Sequence, residues 1–529
     1  MKNKMKNKIV KLLMCCTLLF TYACTDLEIE STGTAELAPT FVGYASNELS
    51  DSALDQMYNE IRGYIGDQAN LYALSEVTTD AQLIPTRGSD WGDNGIWRQL
   101  HQHSWTPDHA FITNVWNQWN SLQLAGTRII IPESTASTET KAQASFLRAL
   151  GMFVILDNFG QVPFRNLPSD PNADPEVLTG AAAVDFIVSD LESALTGLPS
   201  SNAGDDNVRA TTAAANYLLA KVLLNKHVYV GGSPDSADMS RVISLVDAIA
   251  GDGYALQSGF FDIFRDSSDS ETVWYINTGV GNRIFNTLHY NSTTAGGGGW
   301  NGFSTLAEYY DLFEGDANQN RYDADGVALD GQEERRGGVP PSGDADGTEG
   351  SNVGFGFLIG QQYNVDGSPL QDRAGAPLAF TREFISTVDG QPSLVDNNEI
   401  TGIRLIKYNP RFGGFNEHEI FFRYSDAHLM KAEAMMRSGG DPTAMVNELR
   451  AIRGATPIAS VTEQDMIDER GRELYMEFWR RQDLIRFGQY TKNWEFKEGD
   501  AVGNSDRNLF PIPASQVILN PNLVQNPGY

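Results

Sequence analysis

The chain of 529 residues has almost no cysteine: Cys15, Cys16 and Cys24 are the only three, and none follows residue 24. A disulfide framework is thereby excluded from the remainder. Positive charge is scarce too, with 39 basic against 68 acidic side chains and a formal net charge of −29. A field of that sign repels nucleic acid and anionic membrane surfaces, so neither is expected to bind the folded body directly. Long apolar runs are missing. The most continuous one, Leu12 to Phe20, is about half the ~20 residues that a membrane-spanning helix needs. There is no phosphate-binding loop, no Rossmann-type glycine pattern and no Gly-x-Ser-x-Gly nucleophile elbow, so no cofactor is expected.

What is present begins with lysine. Lys2, Lys4, Lys6, Lys8 and Lys11 precede the short apolar run, and together they read as a cleaved export signal over residues 1–23. Cys24 is then the first residue and the only cysteine left. Phe20-Thr21-Tyr22-Ala23-Cys24 is similar to a bacterial lipobox, with Thr21 where Leu is usual. An acylated Cys24 would anchor the chain at ~0.8 kcal/mol per buried CH₂. The other reading is an ordinary signal peptide with a chance cysteine. Residues 24–45 are polar and rich in Thr, Ser and Ala, and read as a tether.

Apolar spacing predicts a mostly α fold. Ala144, Leu147, Gly151, Val154 and Ile155 share one helix face, and Ala214, Tyr217, Leu218 and Val222 another. Tyr424, Ala427, Met430 and Ala434 form a third. A fourth helix starts at Thr462, with Asp465 as its capping-box partner, and carries its stripe through Ile467, Leu474, Phe478 and Ile485. Between 265 and 415 the pattern changes to Gly, Asp and Asn, broken by short strand-like runs such as Thr272–Ile276. The division expected is a helical part over 46–264, a loop-rich excursion over 265–415 and a second helical part over 416–529. Loops of that size usually carry function.

Several segments resemble the SusD/RagB family. The C-terminal third has Phe422-Arg423-Tyr424-Ser425-Asp426, Leu429-Met430-Lys431-Ala432-Glu433-Ala434, Asp468-Glu469-Arg470-Gly471-Arg472-Glu473-Leu474 and Asp483-Leu484-Ile485-Arg486-Phe487-Gly488, then Phe510-Pro511-Ile512-Pro513 and the tail Asn520 to Tyr529. Earlier come Phe146-Leu147-Arg148-Ala149-Leu150, Asp157 to Pro163 and Arg209-Ala210-Thr211. The order and spacing of these blocks, more than any one of them, carry the resemblance. It implies a SusD-like α-α superhelix of tetratricopeptide-type helix pairs, with a large irregular loop-rich region and few short strands. It also implies a lipid-anchored protein at the surface of the cell outer membrane, which binds oligosaccharides and delivers them to a SusC-like TonB-dependent transporter. A peptide-binding uptake subunit of the RagB kind is the alternative, and a lipoprotein glycoside hydrolase a more distant one. The dense charges of the C-terminal blocks are read as ion-pair networks between helices; a catalytic carboxylate pair is the competing reading.

Sugar recognition needs aromatic faces for ring C–H groups and planar polar groups for hydroxyls. Two Gly-rich loops offer both. Pro85 to Trp97 places Trp91 and Trp97 among Arg87, Asp90, Asp93 and Asn94; Trp97 is also placed to pack at the start of a following helix. In Ala295 to Thr305 four glycines precede Trp300 and Asn301, which would let backbone approach a ligand closely; a flexible loop whose Trp plugs the scaffold is the other reading. Tyr290, with His289, lies just upstream. Trp91 and Trp300 are expected to meet in space, and a neutral glucan suits the acidic chain best. Trp116, Trp119, Trp274, Trp479 and Trp494 are read as core. His101, His103 and His109 lack a spaced set of further ligands for zinc. The oxygen-rich run Asp316 to Gly326 is read as a solvated turn rather than a calcium loop, so no metal is expected.

Overall fold

Caps and apolar stripes build the scaffold. In this computed structural model, which describes residues 43–167, 173–267, 269–292, 298–323, 327–329, 331–412 and 417–529, the described helices of ten residues or more are α1 (Asn47–Gly66), α2 (Ala110–Ile130), α3 (Thr138–Phe159), α4 (Gly180–Leu195), α5 (Thr212–Val230), α6 (Ser236–Gly251), α7 (Tyr424–Arg437), α8 (Thr443–Ile452) and α9 (Glu463–Leu474). Ser46, Ser137 and Thr211 cap α1, α3 and α5, each accepting a backbone N–H of the first turn and so satisfying one otherwise unpaired donor. The capping box of Thr462 and Asp465 is formed at α9. Helices neighbouring in sequence pack against each other from α2 to α6, and α7 then packs on α6. The fold is mostly helical with few short strands, as the spacing predicts. Cys24 and the expected export signal lie outside the described residues.

The centre of the scaffold is α3 and α5. Almost every residue from Gln143 to Leu156 and from Ala213 to Asn225 is buried, because both helices are covered on all sides rather than along one stripe. Trp116, Trp119, Trp274, Trp479 and Trp494 are all in the core. One continuous apolar cluster runs from α1 through the middle stretch to the tail at Leu523, so the loop-rich residues are fastened to the helices rather than hung from them. The strand Thr272–Ile276, which opens that stretch, pairs antiparallel with Glu419–Arg423, which closes it. Among the described residues between 265 and 415 no helix exceeds the 7 residues of Gly281–Thr287.

The fourth expected helix is corrected by the structure. It breaks after Leu474 and resumes only at Arg480–Arg486. Met476 and Phe478, between the two pieces, take the left-handed φ values of 61° and 73°. The cause is tertiary. Glu76, buried in the π-turn Ala73–Val77, accepts the Phe478 N–H at 2.8 Å, and the Lys407 ammonium donates to the Tyr475 carbonyl at 3.0 Å. Each takes a backbone group that a continuous helix would use internally.

The charged blocks pair with one another in the core. The Arg423 guanidinium meets Glu271 at 2.8 Å, Glu473 at 2.8 Å and Glu477 at 2.7 Å. Arg453 shares Glu271 and Glu473, and Arg335 joins Glu469 to Glu473. A second group links Arg470 to Asp426 and Asp483, and Arg486 to Glu433. Burial raises the Glu469 and Glu433 carboxyls, but the surrounding arginines outweigh it and hold both down at about 2. A carboxylate with a depressed folded pKa stabilises the fold fully above its unfolded pKa and loses that contribution as the pH falls through the folded one. The urea midpoint should therefore hold down to about pH 4.5 and fall steeply towards pH 2. A carboxyl held one pH unit below its free value contributes roughly 1.4 kcal/mol. A midpoint flat across that window would show that these pairs contribute nothing.

Candidate functional site

Three irregular segments converge on one side of the loop-rich stretch. The first is a tight turn in which Arg87 and Asp90 exchange backbone hydrogen bonds at 2.9 Å, with Gly88 at φ 58°. It turns Asp90 and Trp91 outward. The second is Gly298 to Phe303, laid against 285–290: the Gly299 N–H donates to the His289 carbonyl, Trp300 to Phe285, Asn301 to Leu288 and Gly302 to Asn286. The third is 398–402, which carries Glu399.

The glycines of the second segment do not open the chain to a ligand. A Cβ at 298 would strike the Tyr290 carbonyl, one at 299 the Leu288 carbonyl, and one at 302 the indole of Trp91. Their close approach is to the protein's own backbone and ring. Residues 293–297, which include part of the glycine run, lie outside the described residues.

Trp91 and Trp300 do meet. The Trp91 indole N–H donates to the Trp300 carbonyl at 2.7 Å. Trp300 is 62% exposed, whereas Trp91 is half-buried and sits edge-on to Trp97 and Phe303, at 5.8 and 5.9 Å between centroids. Trp91 holds φ 58° and Asn301 φ 55°. For a Trp this is an uncommon backbone state, of a kind that concentrates at functional sites. Asn94, beside Trp91, is exposed at φ 53°.

A polar cluster links the turn at Asp90 to residues 289–290 and to Glu399. The Tyr290 hydroxyl donates to Asp90, and the Arg373 guanidinium lies 3.8 Å from the Tyr290 ring centroid. Arg373 also pairs with Glu399 and, at 3.4 Å, with Asp90. Behind it the His289 Nε2 meets Glu399 at 2.8 Å. Burial pulls the His289 imidazole down to about 4, so it is neutral at pH 7 and donates to Glu399. Burial raises the Glu399 carboxyl, but the hydrogen bonds from Arg373 and His289 outweigh it and hold it low. Burial and then Asp90 push the Tyr290 hydroxyl up, so it stays protonated.

Three expected ligand contacts are corrected. Arg87 is 2% exposed, with its guanidinium spent on the Asn301, Asn398 and Thr401 carbonyls and on the Ser304 and Thr401 hydroxyls. Asn301 is fully buried, its amide donating to the Glu399 carbonyl and accepting from Arg404. Trp97 packs into the start of the helix Ile96–Gln102, edge-on to Phe111 at 4.8 Å, with its N–H on Asp93. None of the three reaches the surface. Arg373 and Glu399 are the site residues that sequence reasoning missed, and Gly- and Asp-rich loop sequence holds no periodic signal for either.

Elsewhere, a cleft of about 380 Å³ beside α1 is lined by Asp55, Tyr58, Arg62, Arg209 and Asn277. Its one aromatic face is already taken, since Arg209 lies 4.8 Å over Tyr58. His101, His103 and His109 each place Nε2 on a different backbone carbonyl. Asp316 accepts from the Asn318 N–H in a local turn. Gly302→Ala should drive the new methyl into the Trp91 indole and cost about 1–3 kcal/mol by overpacking. The cost should shrink in a Trp91→Ala background, where the overlapped ring is gone. Strictly additive unfolding free energies in that double-mutant cycle would rule the contact out.

Two family models match the chain. The one described as "SusD family" matches residues 397–529, and the one described as "Starch-binding associating with outer membrane" matches residues 44–224. The starch-binding protein SusD of Bacteroides thetaiotaomicron is 26% identical over an alignment that covers 99% of this chain and 100% of the relative. Among solved structures, a SusD-like protein of Bacteroides fragilis superposes with a TM-score of 0.67 at 19% identity, covering 93% of this chain and 98% of the other. Surface glycan-binding protein A of Bacteroides thetaiotaomicron, in complex with laminarihexaose, gives 0.60 at 17% identity over 91% and 99%.

Proposed function

The chain belongs to the SusD family, and from that premise we propose that it is a surface glycan-binding lipoprotein, not an enzyme, which captures oligosaccharides and passes them to a SusC-like TonB-dependent transporter. One observation carries this reading: the Trp300 indole, 62% exposed on a segment whose backbone is held rigidly from behind. An indole of that kind offers its face to the C–H side of a sugar ring. Around it the Asp90 and Glu399 carboxylates accept from hydroxyls, and the Arg373 guanidinium and the Tyr290 hydroxyl donate to them. The exposed edge of Trp91 extends the apolar surface, and Asn94 adds an amide at its rim. The starch-binding relative and the laminarihexaose complex of a structural neighbour support a glucan as the ligand.

A binding role also suits the carboxylates that sequence reasoning weighed as catalytic. Glu473 is fully buried and Glu477 almost so, both in ion pairs with Arg423, and neither can reach a glycosidic bond. The lipid anchor at Cys24 rests on the lipobox-like sequence. With it, the folded body would stand at the outer membrane; among the described residues no helix is long and apolar enough to cross one.

Two measurements test the proposal. Truncating a well-desolvated aromatic contact costs on the order of 1–3 kcal/mol, so Trp300→Ala should weaken binding of the best ligand among starch, laminarin and a uronate polymer by roughly 5- to 150-fold. Its melting temperature should stay nearly unchanged. Calorimetry showing wild-type affinity for Trp300→Ala would place the glycan elsewhere. Separately, Cys24→Ala should release the protein from washed membranes or stall its processing; a variant that still fractionates with membranes would remove the anchor from this residue.

A further inference from the structure

Behind the tryptophans lie two guanidiniums of an unusual kind. Arg87 and Arg404 are buried side by side, and among the described residues neither pairs with a carboxylate. Arg404 donates to the Asn301 side-chain oxygen from Nε at 3.0 Å and from Nη2 at 2.7 Å. Its other acceptors are the Glu399, Thr401 and Gly402 carbonyls and the Ser304 hydroxyl. Arg87 donates from Nε to the Asn301 carbonyl at 2.7 Å, and to the Asn398 and Thr401 carbonyls, also at 2.7 Å. Burial lowers both groups. The Arg87 charge lowers Arg404 further, and Tyr290 and Glu399 offset only part of the fall at Arg87; guanidiniums nonetheless keep their proton in proteins. Two like charges without a paired carboxylate cost free energy, which the set of oriented oxygens offsets together with the Phe380 ring, 4.2 Å from Arg404, and the Glu399 charge near Arg87.

The acceptors are the segments that make the surface. Asn301, directly after Trp300, is engaged at every polar atom: its N–H by Leu288, its carbonyl by Arg87, its side-chain oxygen by Arg404 and its side-chain nitrogen by the Glu399 carbonyl. Arg87 itself belongs to the turn that presents Asp90 and Trp91. Residues 398–402 wrap both guanidiniums and point the Glu399 carboxylate at Arg373. A planar fork with five fixed donors holds several chain segments in one fixed geometry; an ammonium has three rotatable donors and sets no such plane.

We infer that Arg87 and Arg404 are positioning residues of the glycan surface, a buried clasp that fixes the left-handed Asn301 and thereby sets Trp300, Trp91 and Glu399 relative to one another; this rests on the reading of Trp300 as the sugar platform. They touch no ligand. Preorganisation of this kind gains affinity by lowering the ordering cost of binding.

The test compares wild type, Arg404→Lys, Asn301→Gly, Trp300→Ala and Arg148→Lys, with laminarin and soluble starch as probes and with amide hydrogen exchange on the free proteins. Arg148→Lys perturbs a buried arginine of the scaffold, paired with Asp190, and sets the effect of general destabilisation. Arg404→Lys should bind at least tenfold more weakly and exchange the amides of Trp300, Asn301 and Gly302 at least tenfold faster, while Arg148→Lys changes neither. Asn301→Gly keeps the left-handed backbone at no steric cost but removes the Arg404 acceptor, so it should show the same pair of effects even if Arg404→Lys does not fold. Unchanged exchange at 300–302, or weakened binding in Trp300→Ala without any in Arg404→Lys and Asn301→Gly, overturns the clasp. Wild-type binding by Trp300→Ala overturns the platform reading instead, and the exchange data then still decide whether the clasp holds the loops.

Discussion

The buried ion pairs around Arg423 are what the rest of the molecule depends on. Glu271 directly precedes the strand that opens the loop-rich stretch, Arg335 comes from the middle of that stretch, and Glu469, Glu473 and Glu477 from α9 and the turn after it. Taken singly, such pairs barely repay their desolvation, but removing one partner strands the other at roughly 3–5 kcal/mol. The network therefore acts less as a source of stability than as a lock on register. It admits one placement of an irregular stretch of some hundred and fifty residues against a helical body. That placement brings the segments carrying Asp90, Trp91, Trp300 and Glu399 together.

How far the sequence reveals this differs from place to place. The helices are legible because apolar side chains recur at helical spacing, even in α3 and α5 where burial is all round, and the start of α9 because Thr462 and Asp465 satisfy a local rule. Its end is not, because the break is imposed by Glu76, some four hundred residues away, and no local pattern records it. Trp300 is legible as exposed because a large ring among glycines has no stripe to join. Arg87 and Asn301 mislead for the complementary reason. Their polarity suggests solvent, yet they donate to backbone oxygens of a segment 311 and 98 residues further on. Arg373 and Glu399 carry no signal at all, since irregular backbone has no period against which a residue stands out.

The site combines a stiff foundation with an open surface. The polar atoms of Asn301, behind Trp300, are all paired, whereas those in front are open to solvent: Arg373 is half exposed and the Asp90 carboxylate about a third. The chain spends its buried polar groups on geometry and keeps the exposed ones for exchange with solvent hydroxyls. The proposed sugar ligand presents the same hydroxyl chemistry as the water it would displace, so little of the polar cluster would have to reorganise.

At the other end of the chain, Tyr44 is tied to the turn that joins α2 and α3. Its N–H donates to the Ser134 hydroxyl at 3.3 Å, and its carbonyl accepts from the Thr135 N–H at 2.7 Å. Under the anchor proposed at Cys24, mechanical load arriving from the N-terminal side would enter the body there. It would be borne first by that pair of bonds and by the α2–α3 hairpin, elements that carry none of the aromatic loops. Force taken up in this way would bypass the loops that carry Trp91 and Trp300.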